Sequence, residues 1–163
     1  MAKTEIQASE YRVKAAFVYK FGDYIEWPTE AFSTPNSPLL IGVVGADALA
    51  DELVRISSGR TISGRPVIVK KLKYGESLPG SHMIFIGRSN NEQIAAVLDA
   101  NKERPTLTVT ESEDGLKLGS MINMVVVSDK VRFDVALPRA EAGRLKISSR
   151  LLAVARKVVV SKP

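Results

Sequence analysis

LLIGVVGAD, residues 39–47, is an apolar run of strand length that ends on a glycine and an acid. A strand without a polar face is one covered on both sides, as in a parallel sheet flanked by helices. Gly45 turns the chain, and Asp47 is placed to cap a helix over 48–57. The same pattern repeats downstream. Residues 66–71 read as a second strand between loops at 59–64 and 74–80, and 82–86 as a third. Ser89 or Asn90 then caps a helix reaching about 101, with Ile94, Val97 and Leu98 inward, and Pro105 introduces a strand over 106–110. Strands alternating with helices predict an α/β fold on a largely parallel, helix-covered sheet.

Upstream, residues 1–8 are expected to be a disordered lead-in and 9–160 a single domain. From Ser9 a helical period sets Val13, Phe17, Lys20, Phe21 and Tyr24 on one side. Gly22 weakens that helix, Pro28 forbids its continuation, and STPNSP at 33–38 is a turn-rich loop. Downstream, 111–120 is a polar loop. Residues 121–127 and 130–136, joined at Ser128-Asp129, predict a C-terminal antiparallel hairpin. A helical turn over 138–143 follows, then a final helix capped by Ser148, with Leu151, Val154, Ala155 and Val158 inward.

Composition narrows the function classes. The 163 residues are 45% hydrophobic and 25% charged, as in ordinary globular domains. No apolar run approaches the roughly 20 residues of a membrane helix. With no cysteine there is no disulfide, thiolate nucleophile or sulfur metal site, and the single histidine, His82, lacks the partners a zinc site needs. The dinucleotide fingerprint fails at 42–47, where the spacing is wrong and Asp47 stands where a phosphate would sit. Glu111, Glu113 and Asp114 lack calcium-loop spacing and read as a solvated loop.

The net charge of +5 is spread out. Neither Lys70, Lys71 and Lys73 nor Arg144, Lys146, Arg150, Arg156 and Lys157 is interleaved with aromatics, so nucleic acid is not the expected partner. Phe17, Phe21 and Tyr24 read as core. Tyr19 and Trp27 read either as a surface anchor or as a second layer of core. No catalytic centre, metal or cofactor is expected. The chain opens without an apolar leader, which fits either a cytoplasmic protein or an exported one whose signal peptide has been removed.

Three segments together resemble the YfiR-like family of periplasmic proteins. They are VKAAFVYKFGDYIEWP at 13–28, SHMIFI at 81–86 with the later TLTVTE at 106–111, and VRFDVALPRAEAGRLKISSRLLAVAR at 131–156. The resemblance implies a non-enzymatic, often dimeric periplasmic repressor. Such a repressor binds the periplasmic part of a membrane-bound diguanylate cyclase and so limits cyclic-di-GMP signalling and biofilm formation. It also implies an outer-membrane lipoprotein that sequesters the repressor. Many members carry cysteines, one near the position of His82. This sequence has none, so disulfide-based control is not available to it.

Within the closing motif the partner-binding residues are expected to be Glu141, Leu145, Ile147 and Arg150. Leu145 and Ile147 would supply apolar area, at about 2 kcal/mol each if fully desolvated. Glu141 and Arg150 would set register by charge pairing. Ile147 reads equally as a hydrophobic staple on Leu152. The alternative function is a small-ligand sensor, with a pocket at the strand ends near Gly45 and Gly87.

Overall fold

The computed structural model describes residues 2–161. Helix α1 (Ala2–Tyr24) leads into the two-residue strand β1 (Ile25–Glu26) and a single 3-10 turn at Thr29–Ala31. Then come β2 (Leu39–Val44), α2 (Asp47–Ser57), β3 (Thr61–Ile62), β4 (Arg65–Leu72), β5 (Met83–Ile86), α3 (Asn91–Ala100) and β6 (Leu107–Thr110). The chain closes with α4 (Gly115–Leu118), β7 (Ile122–Val127), β8 (Lys130–Ala136), α5 (Leu137–Ala142), β9 (Lys146–Ile147), α6 (Ser149–Val154) and β10 (Lys157–Val159).

The main sheet has eight strands in the order β10-β8-β7-β6-β5-β2-β4-β3. From β4 through β7 neighbours run parallel, while β3–β4 and β7–β8 are antiparallel. This is the expected α/β architecture, including the hairpin. Ser128 and Asp129 turn it at φ +51° and +63°, the conformation of a two-residue type I′ loop whose twist suits the strands it joins.

The central strands serve two cores because successive residues face opposite ways. Met83 and Phe85 join Ile41 and Val43 in the larger core, under α1 and α2. Ile84 and Ile86 join Val44 in the smaller one, under Ile94 and Leu98 of α3. In the larger core Phe21 and Phe133 meet edge to face at 5.1 Å, with Phe17 against Phe133 at 5.9 Å. Tyr19 and Trp27 belong to the second layer of that core. Tyr19 Oη donates to the Thr61 carbonyl at 2.9 Å and Trp27 Nε1 to that of His82 at 3.0 Å.

Several local expectations need correction. The first helix begins at Ala2, not Ser9, and its buried stripe is Lys14, Ala15, Val18 and Phe21, leaving Val13 exposed. A lysine in that stripe is tolerated because two carboxylates neutralise it. Asp47 is the first residue of α2 and makes no cap hydrogen bond. Asn90 does cap α3, its side chain accepting from the Gln93 amide at 2.8 Å. The loop 59–64 contains β3, turned onto β4 by Ser63 and Gly64 at φ +51° and +77°. The polar loop 111–120 contains α4.

The last helix stops at Val154, which is 63% exposed rather than inward, and Lys157–Val159 pairs with β8 as a strand. Three consecutive valines after Lys157 favour extended backbone. Arg156 fixes the changeover. Its amide donates to the Phe133 carbonyl at 2.8 Å, and its guanidinium grips both carboxylate oxygens of Asp134 at 2.8 and 2.5 Å.

His82 is 4% exposed and held at both ring nitrogens. Nδ1 accepts from the Leu40 amide at 3.0 Å, which leaves Nε2 to donate to the Ala31 carbonyl at 2.8 Å. Phe32 stacks on the ring at 4.2 Å, and Arg65 lies over the Phe32 ring at 3.5 Å from its centroid. Burial pushes the His82 pKa below its usual 6.5, and the Arg65 charge acts in the same direction.

Candidate functional site

In an open parallel sheet the loops leaving adjacent strands diverge wherever the strand order reverses, and the gap between them lies beyond the carboxyl ends. Here β2 connects onward to β4 on one side of it, while β5, on its other side, connects onward to β6. The reversal falls between β2 and β5, at Gly45 and Gly87.

These two glycines let the loops touch backbone to backbone. Gly45 has φ +64°, and a Cβ there would lie 2.6 Å from the Tyr74 ring. A Cβ on Gly87 would lie 2.6 Å from the Gly45 carbonyl oxygen. Tyr74 locks the pair by donating its hydroxyl to the Gly87 carbonyl at 2.7 Å, and its burial raises the phenol pKa above 10.0.

Above this junction α1 brings in Glu10, Tyr11 and Lys14. Lys14 Nζ lies 2.7 Å from Glu10 Oε2 and 2.6 Å from Glu111 Oε1, with the lysine side chain 1% exposed. Arg88, just past β5, stands 3.7 Å from Glu10. Glu10, Tyr11, Gly45, Ala46, Arg88 and Glu111 border a cavity of about 150 Å³, with Lys14 buried behind the two carboxylates. A wider groove of about 540 Å³ shares Arg88 and Glu111 and continues along 112–114 and Met124 to Val126 of β7.

Ser112, which lines the groove, is tied down by Asn123, buried on β7. Asn123 Oδ1 accepts from Thr110 Oγ1 at 2.7 Å and from the Ser112 amide at 3.2 Å, and its Nδ2 donates to the Ser112 carbonyl at 2.9 Å. Ser112 Oγ is buried there without a hydrogen-bond partner.

The pocket expected near Gly45 and Gly87 therefore has a counterpart. Glu111, expected in solvent, is buried against Lys14 instead. Lys14, Glu10 and Arg88 were missed, because hydrophobic periodicity passes over charged residues. One usable signal was present: Glu10 and Lys14 stand four apart, the spacing of a helical ion pair, with Ala15 and Val18 beside them.

The residues expected to bind a partner lie on one stretch of chain, α5–β9–α6. Glu141 and Arg150 are exposed, Ile147 is half-buried, and Leu145 is 2% exposed within the larger core. The apolar area of Leu145 is already used inside the protein, where it anchors the segment from beneath. Ile147 pairs with Ile25 and Lys146 with Glu26 in an antiparallel β1–β9 ladder, which the Ser148 amide extends by donating to the Tyr24 carbonyl at 2.9 Å. Ser148 also caps α6, its Oγ accepting from the Arg150 amide at 3.2 Å. Arg144 bonds Glu30 at 2.9 Å on the surface. The outward side of this stretch thus carries Glu141, Arg144, Lys146 and Arg150, more basic than acidic.

Among the described residues no helix is long and apolar enough to cross a membrane, and no three His, Asp or Glu side chains cluster as a metal site. No curated protein matches the chain. The YfiR/HmsC-like family model matches residues 11–156. That span runs from Tyr11, at the cavity wall, to Arg156, which clamps Asp134, and takes in all of the cleft lining except Glu10 as well as the α5–β9–α6 segment. The chain belongs to the YfiR/HmsC-like family.

Proposed function

We propose that this protein is a periplasmic regulator that represses a membrane-bound diguanylate cyclase by binding its periplasmic part, so limiting cyclic-di-GMP signalling and biofilm formation. The observation that carries this reading is the family match over residues 11–156, in a family of periplasmic regulators rather than enzymes. Repression follows from differential affinity. A protein that binds the cyclase's inactive state more tightly shifts the population away from catalysis, and by no more than that difference in binding free energy. A lipoprotein of the outer membrane competing for the same face would release the cyclase. In this reading the repressor is a homodimer.

The docking face is the α5–β9–α6 segment. Glu141 and Arg150 supply charge, Ile147 the apolar contact, and Leu145 the support beneath. Exposed Arg144 and Lys146 add positive charge, which suits an acidic face on the cyclase and speeds encounter at low salt. The test uses the cyclase's periplasmic domain immobilised against the purified chain. Ile147→Asp and Arg150→Glu, each shown to be folded by circular dichroism, are expected to weaken binding by about tenfold or more, the loss of one contact worth roughly 1.4 kcal/mol. Unchanged affinity in both folded variants would remove this face from the mechanism. No binding by the unaltered chain would remove the repressor reading itself.

A further inference from the structure

We propose that the cavity over the carboxyl ends of β2, β5 and β6 binds a small zwitterion, a molecule with one anionic and one cationic group. The site is separate from the α5–β9–α6 docking face, and the inference does not rest on the repressor reading.

The charges at this mouth select the ligand class. The charged lining is Glu10, Glu111 and Arg88, two carboxylates and one guanidinium, and the buried Lys14 ammonium offsets one of the carboxylates from behind. A simple anion would sit against two carboxylates, and a simple cation against the Arg88 guanidinium. An apolar molecule would strip water from the lining charges without replacing its hydrogen bonds. A ligand charged at both ends meets the carboxylates with its cationic group and Arg88 with its anionic one.

The groups also have capacity to spare. Lys14 engages Oε2 of Glu10 and Oε1 of Glu111, and the other oxygen of each carboxylate carries no hydrogen bond among the described residues. Arg88 reaches only to 3.7 Å of Glu10, beyond hydrogen-bond distance, so its planar fork of donors is open to a carboxylate or sulfonate. Helix α2 begins beside Ala46, which lines the cavity, and has no side-chain cap.

Shape limits size. A cavity of about 150 Å³ is of the size that holds a benzene-sized molecule, the scale of a compact amino acid. A longer molecule would extend into the groove that shares Arg88 and Glu111, towards the unpartnered hydroxyl of Ser112.

The test is isothermal titration calorimetry on the full chain with glycine, β-alanine, 4-aminobutyrate and taurine, and with acetate and methylammonium as singly charged fragments. At least one zwitterion is expected to bind, with each fragment weaker by about tenfold or more, since each lacks one charged hydrogen bond. Arg88→Ala is expected to weaken the best zwitterion by about tenfold or more. Ala46→Phe fills the cavity without changing any charge and is expected to abolish binding. Both positions are at least partly exposed in loops, so the fold should persist, checked by circular dichroism. The proposal is overturned if none of the four zwitterions gives heat, if acetate or methylammonium binds as tightly as the zwitterions, or if both folded variants bind as the unaltered chain does.

Discussion

Replacing Lys14 by methionine keeps the volume and apolar stem of the side chain and removes its charge. Two carboxylates lose their partner, but unequally. The Glu10 side chain is 26% exposed and rehydrates in place, whereas the Glu111 side chain is 5% exposed and cannot. The cost is therefore set by one uncompensated buried carboxylate, about 3–5 kcal/mol. For a chain of this size each kcal/mol moves Tm by about 2–4 °C, so the expected drop is roughly 6–20 °C. That is a large part of a total stability of about 5–15 kcal/mol, and equilibrium urea unfolding followed by circular dichroism measures it directly. The double variant Lys14→Met/Glu111→Gln removes the stranded charge and is expected to recover more than half of the loss. A single variant within about 1 kcal/mol of the unaltered protein, the usual worth of an exposed pair, would refute the account of Lys14 as a buried ionic strut.

Two further outcomes follow from the same geometry. Because the folded protein holds the His82 pKa below its usual 6.5, the unfolded chain binds the extra proton first. The His82 contribution to stability is intact above about pH 6.5 and declines as pH falls through that value towards the folded pKa; His82→Gln should flatten this part of the pH profile in urea midpoints, and an unchanged slope would separate it from His82. Gly45→Val places a branched side chain at φ +64° against the Tyr74 ring; the strained backbone and overpacking together should cost about 2–5 kcal/mol, and a thermal midpoint equal to that of the unaltered chain would contradict the close loop junction.

The fold was legible where local chemistry and tertiary packing agree. Leu39–Val44 and Met83–Ile86 are apolar on both faces because helices cover both, and Ser128-Asp129 tolerates the left-handed pair its hairpin needs. Asn90 and Ser148 cap helices with their own side chains, an interaction spanning two or three residues. Where a distant partner decided the outcome, the reading failed. Lys14 sits inward because Glu111, 97 residues away, neutralises it. Lys157–Val159 is a strand because β8 offers an edge. Leu145 faces the core because Arg144, at φ +63°, redirects the backbone ahead of β9. The cleft was visible as a glycine at each strand end, but its charged lining was not, since it is assembled from α1, the loop after β5 and the end of β6.

The mouth of the cleft and the α5–β9–α6 segment share one structural member. Helix α1 holds Glu10 and Lys14 at the cavity, and after Tyr24 passes without a loop into β1, which pairs residue for residue with β9. From Lys14 to Ile25 the path is about 16 Å at 1.5 Å per helical residue. Ala15, Val18 and Phe21 lie buried along that path, which packs this stretch of α1 onto the larger core. The Ile25–Ile147 and Glu26–Lys146 pairing joins the end of that path to the segment that presents Ile147 and Arg150. The cavity wall and the β1–β9 ladder are thus built on one continuous stretch of chain, from Glu10 to Glu26.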